Sequence, residues 1–148
     1  MLTINPYINF AGNAEEAFTF YKSVFGGEFI DLQRYKDYKD MPNADQLTDE
    51  DKNKLMHVSL AIGKTNVLMG SDSLGMMGGP LKIGDNFNLS VNTGSEKEAG
   101  HLFDKLSVGG KVEMPMSKSS WGSYFGMLVD KFGIWWMISY DYKDSKKK

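Results

Sequence analysis

At 148 residues, 41% of them apolar and 13% aromatic, the chain has the length and material to bury the core of one ordinary domain. It contains no cysteine, which excludes disulfides, thiolate metal sites and cysteine nucleophiles and fits a reducing cytoplasm. The net charge is −2 and the only basic cluster is Lys146, Lys147 and Lys148, so no nucleic-acid partner is expected. Residues 1–10 carry no export signal, and no window approaches the ~18 apolar residues of a membrane span, so the expected setting is cytoplasmic, with no membrane.

Along the chain, a strand-like run at residues 6–10 is followed by Asn13 with Glu16 three places on, a capping-box-like start with Asn13 as N-cap. Ala14, Ala17, Phe18, Tyr21 and Phe25 fall at helical spacing, and Gly26-Gly27 ends the helix. Residues 28–35 read as a strand, the polar stretch 36–53 as a mobile insertion, and Met56 to Ile62 as an alternating strand. Gly63-Lys64-Thr65-Asn66 turns the chain into a strand at Val67, Leu68 and Met69. A glycine-rich linker, 74–85, holds Met76 and Met77 and reads as a connector or as a lid over a site.

The same order then recurs. A strand-like run at 87–91 leads to Ser95 with Glu98 three places on, and a helix carrying Ala99, Leu102, Phe103 and Leu106 ends at Gly109-Gly110. Strands are expected at 111–116, 124–129 and 134–140, with a tight turn at Asp130-Lys131-Phe132-Gly133 before the last. The fold class is therefore α+β, built from tandem βαβββ modules in a single domain, 1–148. Module one is 1–73, the linker 74–85, module two 86–142, and 143–148 is a frayed tail.

In the strand containing His57, the apolar side chains Val58, Leu60 and Ile62 should pack under the helix, leaving His57, Ser59 and Ala61 on the other face. A hairpin turning about Lys64-Thr65 places His57 directly across from Asp72. That pair reads either as a general acid–base or ligand-orienting dyad, or as a satisfied hydrogen bond closing a sheet edge. In module two, Asn86, Asn88, Ser90 and Asn92 share a face and can meet a ligand, buried water or the partner strand. On the last strand Trp135, Met137 and Ser139 share one face, while Trp136 belongs with the core. Trp121-Gly122 with Tyr124 forms either a rim that clamps a planar ligand or an ordinary turn. His101 lies off the second helix's apolar stripe and is expected in solvent. Gly63-Lys64-Thr65 fails as a phosphate loop, because position 58 is valine and a strand follows.

The runs Pro6-Tyr7-Ile8-Asn9-Phe10, Asn13-Ala14-Glu15-Glu16-Ala17, Phe20-Tyr21 and Phe25-Gly26-Gly27-Glu28 resemble the vicinal-oxygen-chelate superfamily, and most closely its PhnB-like branch. So do His57, Ser71-Asp72, Gly109-Gly110-Lys111-Val112, Trp121-Gly122, Phe125-Gly126 and Asp130-Lys131-Phe132-Gly133. The superfamily includes glyoxalase I, extradiol dioxygenases and bleomycin-resistance proteins. The resemblance implies an eight-stranded cup with helices outside (a glyoxalase-like fold) and a homodimer. In the metalloenzymes of this superfamily a divalent ion is held by the first and last strands of each module.

Those ligand positions fall at or beside Pro6, Met69, Asn86 and Met137, none of which supplies a His, Glu or Asp donor. No metal and no other cofactor is therefore expected. The branch carries a demethylubiquinone methyltransferase label, but no glycine-rich nucleotide loop follows the first strand. The expected function is binding of a small-molecule ligand, in the manner of the bleomycin-binding members. His57 and Asp72 are the catalytic candidates; Tyr7, Ser59, Asn88, Ser90, Trp121, Tyr124 and Trp135 are the ligand-binding candidates. The alternatives are a lyase or isomerase, using either non-standard metal ligands or a metal-free His57/Asp72 pair, and a structural dimer with a vestigial cup.

Overall fold

The computed structural model describes residues 1–38, 40–75 and 79–142. The chain divides into two compact units, Met1–Lys82 and Ile83–Lys148, with the boundary inside the expected linker. Met76 and Met77 of the expected linker, and the expected frayed tail, lie outside the described residues.

The first unit runs β1 (Tyr7–Phe10), α1 (Ala14–Phe25), β2 (Glu28–Arg34), a short α2 (Asp49–Asn53), β3 (Leu55–Ile62) and β4 (Asn66–Asp72). Its sheet has the order β1-β4-β3-β2, with β1 parallel to β4 and the other pairs antiparallel. The second unit runs β5 (Leu89–Asn92), α3 (Glu96–Ser107), β6 (Lys111–Lys118), β7 (Ser123–Val129) and β8 (Trp135–Asp141). Its sheet has the equivalent order β5-β8-β7-β6 and the same mixture of pairings. The βαβββ pattern is thus present twice, and α2 belongs to an insertion found only in the first unit. Among the described residues, no helix is long and apolar enough to cross a membrane.

Each long helix covers one face of its own sheet. Helix α1 buries Ala14, Ala17, Phe18, Tyr21 and Val24. Val24 rather than the expected Phe25 completes the stripe, continuing the three-four-three spacing of 14, 17, 21 and 24. Beneath it lie the buried Ile8, Phe10, Val58, Leu60 and Leu68, with Phe18 edge-on to Phe10 and to Tyr21 at ring distances of 6.0 and 5.8 Å. Full burial of such side chains contributes about 1.5–3 kcal/mol each, so this face supplies much of the unit's stability. Helix α3 buries Ala99, Phe103 and Leu106 in the same way.

The paired glycines after the two helices have a common cause. A Cβ on Gly27 would stand 2.0 Å from the Ala61 carbonyl oxygen, and one on Gly110 would stand 2.2 Å from that of Val129. In both units the chain leaves the helix so close to a neighbouring strand's backbone that only glycine fits.

The two helix starts differ. Ser95 caps α3 as expected: its Oγ accepts from the Glu98 N–H at 3.0 Å, and the Glu98 carboxylate accepts from the Gly94 N–H at 2.8 Å. Asn13 makes no side-chain cap on α1, contrary to expectation. Asp72, at the end of β4 and 1% exposed, takes that place. Its Oδ1 accepts from the Ala14 N–H at 2.9 Å and its Oδ2 from the Leu55 N–H at 2.8 Å. The helix dipole favours a carboxylate there.

The polar insertion is exposed for most of its length and is anchored at Leu47. Tyr35, Leu47 and Leu74 are buried together, with Met41 and Met56 against them. The Tyr35 hydroxyl donates to the Asp72 carbonyl oxygen at 2.7 Å. Burial, and then the nearby Asp72 charge, push the Tyr35 phenol above its ordinary value of 10.0. Thr48 caps α2 by accepting from the Asp51 N–H.

Replacing Asp72 with alanine strands two buried N–H donors, each costing ~1–3 kcal/mol. Asp72→Ala is therefore expected to lower the unfolding free energy by about 3 kcal/mol in urea titrations; a loss below about 0.5 kcal/mol would show that the carboxylate does not organise the unit.

Candidate functional site

The register between β3 and β4 decides which side chains meet. Val58 lies opposite Gly70 and Leu60 opposite Leu68, one residue out from the expected pairing. A one-residue slip sends every side chain of a strand to the other face. The expected His57–Asp72 juxtaposition is therefore corrected: Asp72 turns toward α1 with Leu68 and Gly70, whereas His57 stands with Ser59 on the opposite face. The physical reason is hydrogen bonding. On the α1 side the carboxylate gains two backbone donors that would otherwise be buried without partners.

On the face away from α1, His57 is the centre of a polar group. The Tyr7 hydroxyl lies 3.2 Å from His57 Nδ1, with ring centroids 5.6 Å apart. Ser59 Oγ, from a buried residue, lies 2.8 Å from His57 Nε2. Asp31 Oδ2 is 3.7 Å from the same nitrogen, and Gln33 Nε2 donates to Asp31 Oδ1 at 3.4 Å. Asp31 pairs across the strands with Ser59, and Gln33 with His57. Further along the face the Ser71 hydroxyl donates to Asn9 Oδ1 at 3.3 Å.

The Tyr7 and Ser59 hydroxyls can each donate or accept, so they serve either neutral tautomer of His57. The Asp31 carboxylate only accepts, so we expect it to select the tautomer with Nε2–H toward Ser59 and Asp31 and with Nδ1 accepting from Tyr7. The His57 side chain is 27% exposed and that of Asp31 42%, so both can be reached by a ligand. Such a group can hydrogen-bond a polar ligand or relay a proton.

Sequence reasoning singled out Tyr7, His57 and Ser59, which the structure brings together. It missed Asp31 and Gln33. A register shift between Phe29 and Asp31 breaks the alternation of β2, and only the pairing with β3 reveals which of its residues share His57's face.

In the second unit, Ser90 pairs with Met137 and Val129 with Trp135. Ser90, Trp135, Met137 and Phe125 therefore share the face away from α3, while Gly126, Leu128, Trp136 and Ile138 are buried on the α3 side. Trp121, 64% exposed, stands edge-on to Phe125 at 5.7 Å. Tyr124 pairs with Tyr140 on the α3 side, so it is separated from Trp135 and Ser90. Asn88 precedes β5, and its buried Oδ1 has no hydrogen-bond partner in the structure. Trp136 is core as expected, donating from Nε1 to the buried Asp130 Oδ2 at 2.9 Å. Asp130 Oδ1 accepts from the Phe132 and Ile134 N–H groups and closes the turn before β8.

The ligand positions implied by the family resemblance can now be located on the strands. In the first unit Met69 pairs with Tyr7, and in the second Met137 pairs with Ser90. Pro6 precedes β1, and Asn86 is an exposed residue three places before β5. Neither pair offers a carboxylate or an imidazole, so these residues do not fit a hard divalent ion. Among the described residues, no group of three or more His, Cys, Asp or Glu side chains is gathered anywhere.

A family model described as 3-demethylubiquinone-9 3-methyltransferase matches residues 3–139. Protein YjdN of Escherichia coli K12 is 32% identical over 145 residues, spanning 93% of this chain and 95% of its own. The crystal structure of PA1353 from Pseudomonas aeruginosa is similar with a TM-score of 0.82 at 33% identity, covering 95% of this chain and 98% of that one. A PhnB protein from Bacillus cereus, carrying the same methyltransferase name, is similar with a TM-score of 0.74 at 25% identity, covering 94% and 99%. At 15–18% identity the fold is shared with proteins described as glyoxalase-related or of the glyoxalase/bleomycin resistance/dioxygenase family, as expected from the sequence.

Two-bond ¹⁵N–¹H spectra at a pH where the imidazole is neutral should show His57 as the Nε2–H tautomer. A dominant Nδ1–H form would contradict the assigned roles of Tyr7 and Asp31.

Proposed function

We propose that this chain, which belongs to the PhnB-like family described as 3-demethylubiquinone-9 3-methyltransferase, binds a small organic molecule on the sheet face carrying His57, without a bound divalent ion. The observation that carries the reading is the cluster of Tyr7, Asp31, Gln33, His57 and Ser59, whose hydrogen-bonding groups meet on a part-exposed face. Pre-placed donors and acceptors of this kind fix the orientation of a bound ligand. On the second unit, taken by itself, Ser90, Trp121 and Trp135 are proposed as contacts for a ligand, with Asn88 Oδ1 as an acceptor for a ligand N–H or O–H. Tyr124 and Asp72 face the helices and are left out of the proposed site.

A second reading is proton transfer, as in a lyase or isomerase. What favours it is Asp31 beside His57 Nε2 at 3.7 Å, where it can orient the imidazole. Asp31 thereby takes the part first expected of Asp72. The methyl transfer named in the family's description gives a third arm to the test, with S-adenosylmethionine as its probe.

The binding test is ligand-detected NMR of the whole chain against a panel of phenols, small carboxylic acids and S-adenosylmethionine. A hit bound through His57 should weaken about tenfold or more in His57→Ala, corresponding to loss of one or two polar contacts. Hits that bind His57→Ala unchanged would contradict the site. Tight S-adenosylmethionine binding alone would replace the reading with methyl transfer. Turnover of a hit that is lost in both His57→Ala and Asp31→Asn would establish the proton-transfer reading.

The cytoplasmic setting and the homodimer expected from the sequence belong to the same proposal. Side chains of Ile30, Leu32, Phe87 and Val112 exposed on single chains give apolar surface for a partner copy. Sedimentation at micromolar concentration should give twice the chain mass; a monomer at that concentration would contradict the dimer.

A further inference from the structure

Three thioethers stand in a row across three strands of the second unit. Met114 on β6 lies opposite Met127 on β7, and Met127 lies opposite Met137 on β8. The row is on the face away from α3, because the flanking Gly126 and Leu128 of β7 are buried on the α3 side. Met116 is on that other side: its sulfur stands 2.6 Å from where a Cβ on Gly126 would be, beside Phe103. The register shifts that flank Met114 in β6 separate it from Met116 and bring it into the row.

Opposed residues in an antiparallel pair have Cβ atoms ~4.5–5.5 Å apart, and methionine has three rotatable bonds beyond its Cα. Three such side chains can therefore turn their sulfurs onto one point above Met127. Met114 is 45% exposed and the other two are half-buried, so an ion can reach that point. Around the row, Ser90 pairs with Met137, and one step along the same face Val129 pairs with Trp135 on one side and with Lys111 on the other, whose Nζ is ion-paired with Glu113 at 3.2 Å. Trp135 lies two residues before Met137 on β8 and on the same face.

We propose that Met114, Met127 and Met137 form a binding site for a soft monovalent cation, Cu(I) or its analogue Ag(I). Thioether sulfur is a soft ligand that selects such ions and is a poor donor to the hard divalent ions that favour oxygen. The same substitution that leaves Met137 unable to serve a divalent ion suits it to this one. The site lies on different residues, in a different unit, from the His57 group, so either proposal can fail without the other.

The test titrates Ag(I) into the whole chain with ¹³C-methyl-labelled methionine, in chloride-free buffer. The expected result is saturation near one equivalent, with the methyl signals of Met114, Met127 and Met137 shifting and those of Met56, Met69 and Met116 unmoved. Cu(I), delivered anaerobically against a chromophoric chelator, should compete for the same site. The double variant Met127→Leu, Met137→Leu, which conserves volume, should lose affinity by about thirtyfold or more, since one ligand cannot hold the ion. Shifts confined to other methionines, no saturation by 1 mM Ag(I), or a double variant with unchanged affinity would overturn the site. Should that variant fail to fold, the methyl shifts of the unaltered chain decide alone.

Discussion

The Asp72 carboxylate is the contact on which the first unit depends. A buried carboxylate is tolerable only when its oxygens are satisfied, and both are, by the N–H groups that open α1 and β3. One side chain thus ties the helix start, the strand start and the end of β4, while its own carbonyl holds Tyr35 and through it the insertion. Fixing Asp72 on the helix side fixes the alternation of β4. Met69 and Ser71 must then face the other way, alongside Tyr7, Asn9 and the His57 row of β3. The composition of the candidate site follows from that one register.

The duplicated architecture was legible because its signals are local. Ala99, Phe103 and Leu106 lie within two turns of one another, Ser95 caps its own helix, and Gly27 and Gly110 each mark a close approach of backbones. What was not legible depends on contacts distant in sequence. Asn13 is a good N-cap by type, yet it is displaced by a carboxylate that arrives from β4. Tyr35, Leu47 and Leu74 are too far apart in the chain for any periodicity to reveal that they pack together, so the insertion looked loose. At the site, a one-residue error in the hairpin exchanged Asp72 for Ser71, and the irregularity in β2 hid Asp31. A register error of that size is invisible in the pattern of β3 itself, whose apolar residues are unchanged by it.

The two units have kept one topology and diverged in what the topology presents. On the first, the face away from the helix carries an imidazole, a carboxylate, a phenol and hydroxyls. On the second, the equivalent face carries aromatic rings and thioethers, with Ser90 where the first unit has Tyr7. Both sets are well suited to contacts with organic molecules, and neither places hard donors where the fold family's metalloenzymes hold their ion. A shared scaffold leaves that chemistry open, and the side chains at four strand positions decide it.

The most direct test of this account is the divalent metal content of the whole chain purified without chelator from metal-supplemented culture, followed by thermal unfolding with and without EDTA. The account predicts well under 0.1 equivalent of zinc, nickel, manganese or iron per chain and no change in melting temperature on chelation. A stoichiometric divalent ion whose removal lowers the melting temperature would contradict it, and would require ligands other than the residues at or beside Pro6, Met69, Asn86 and Met137.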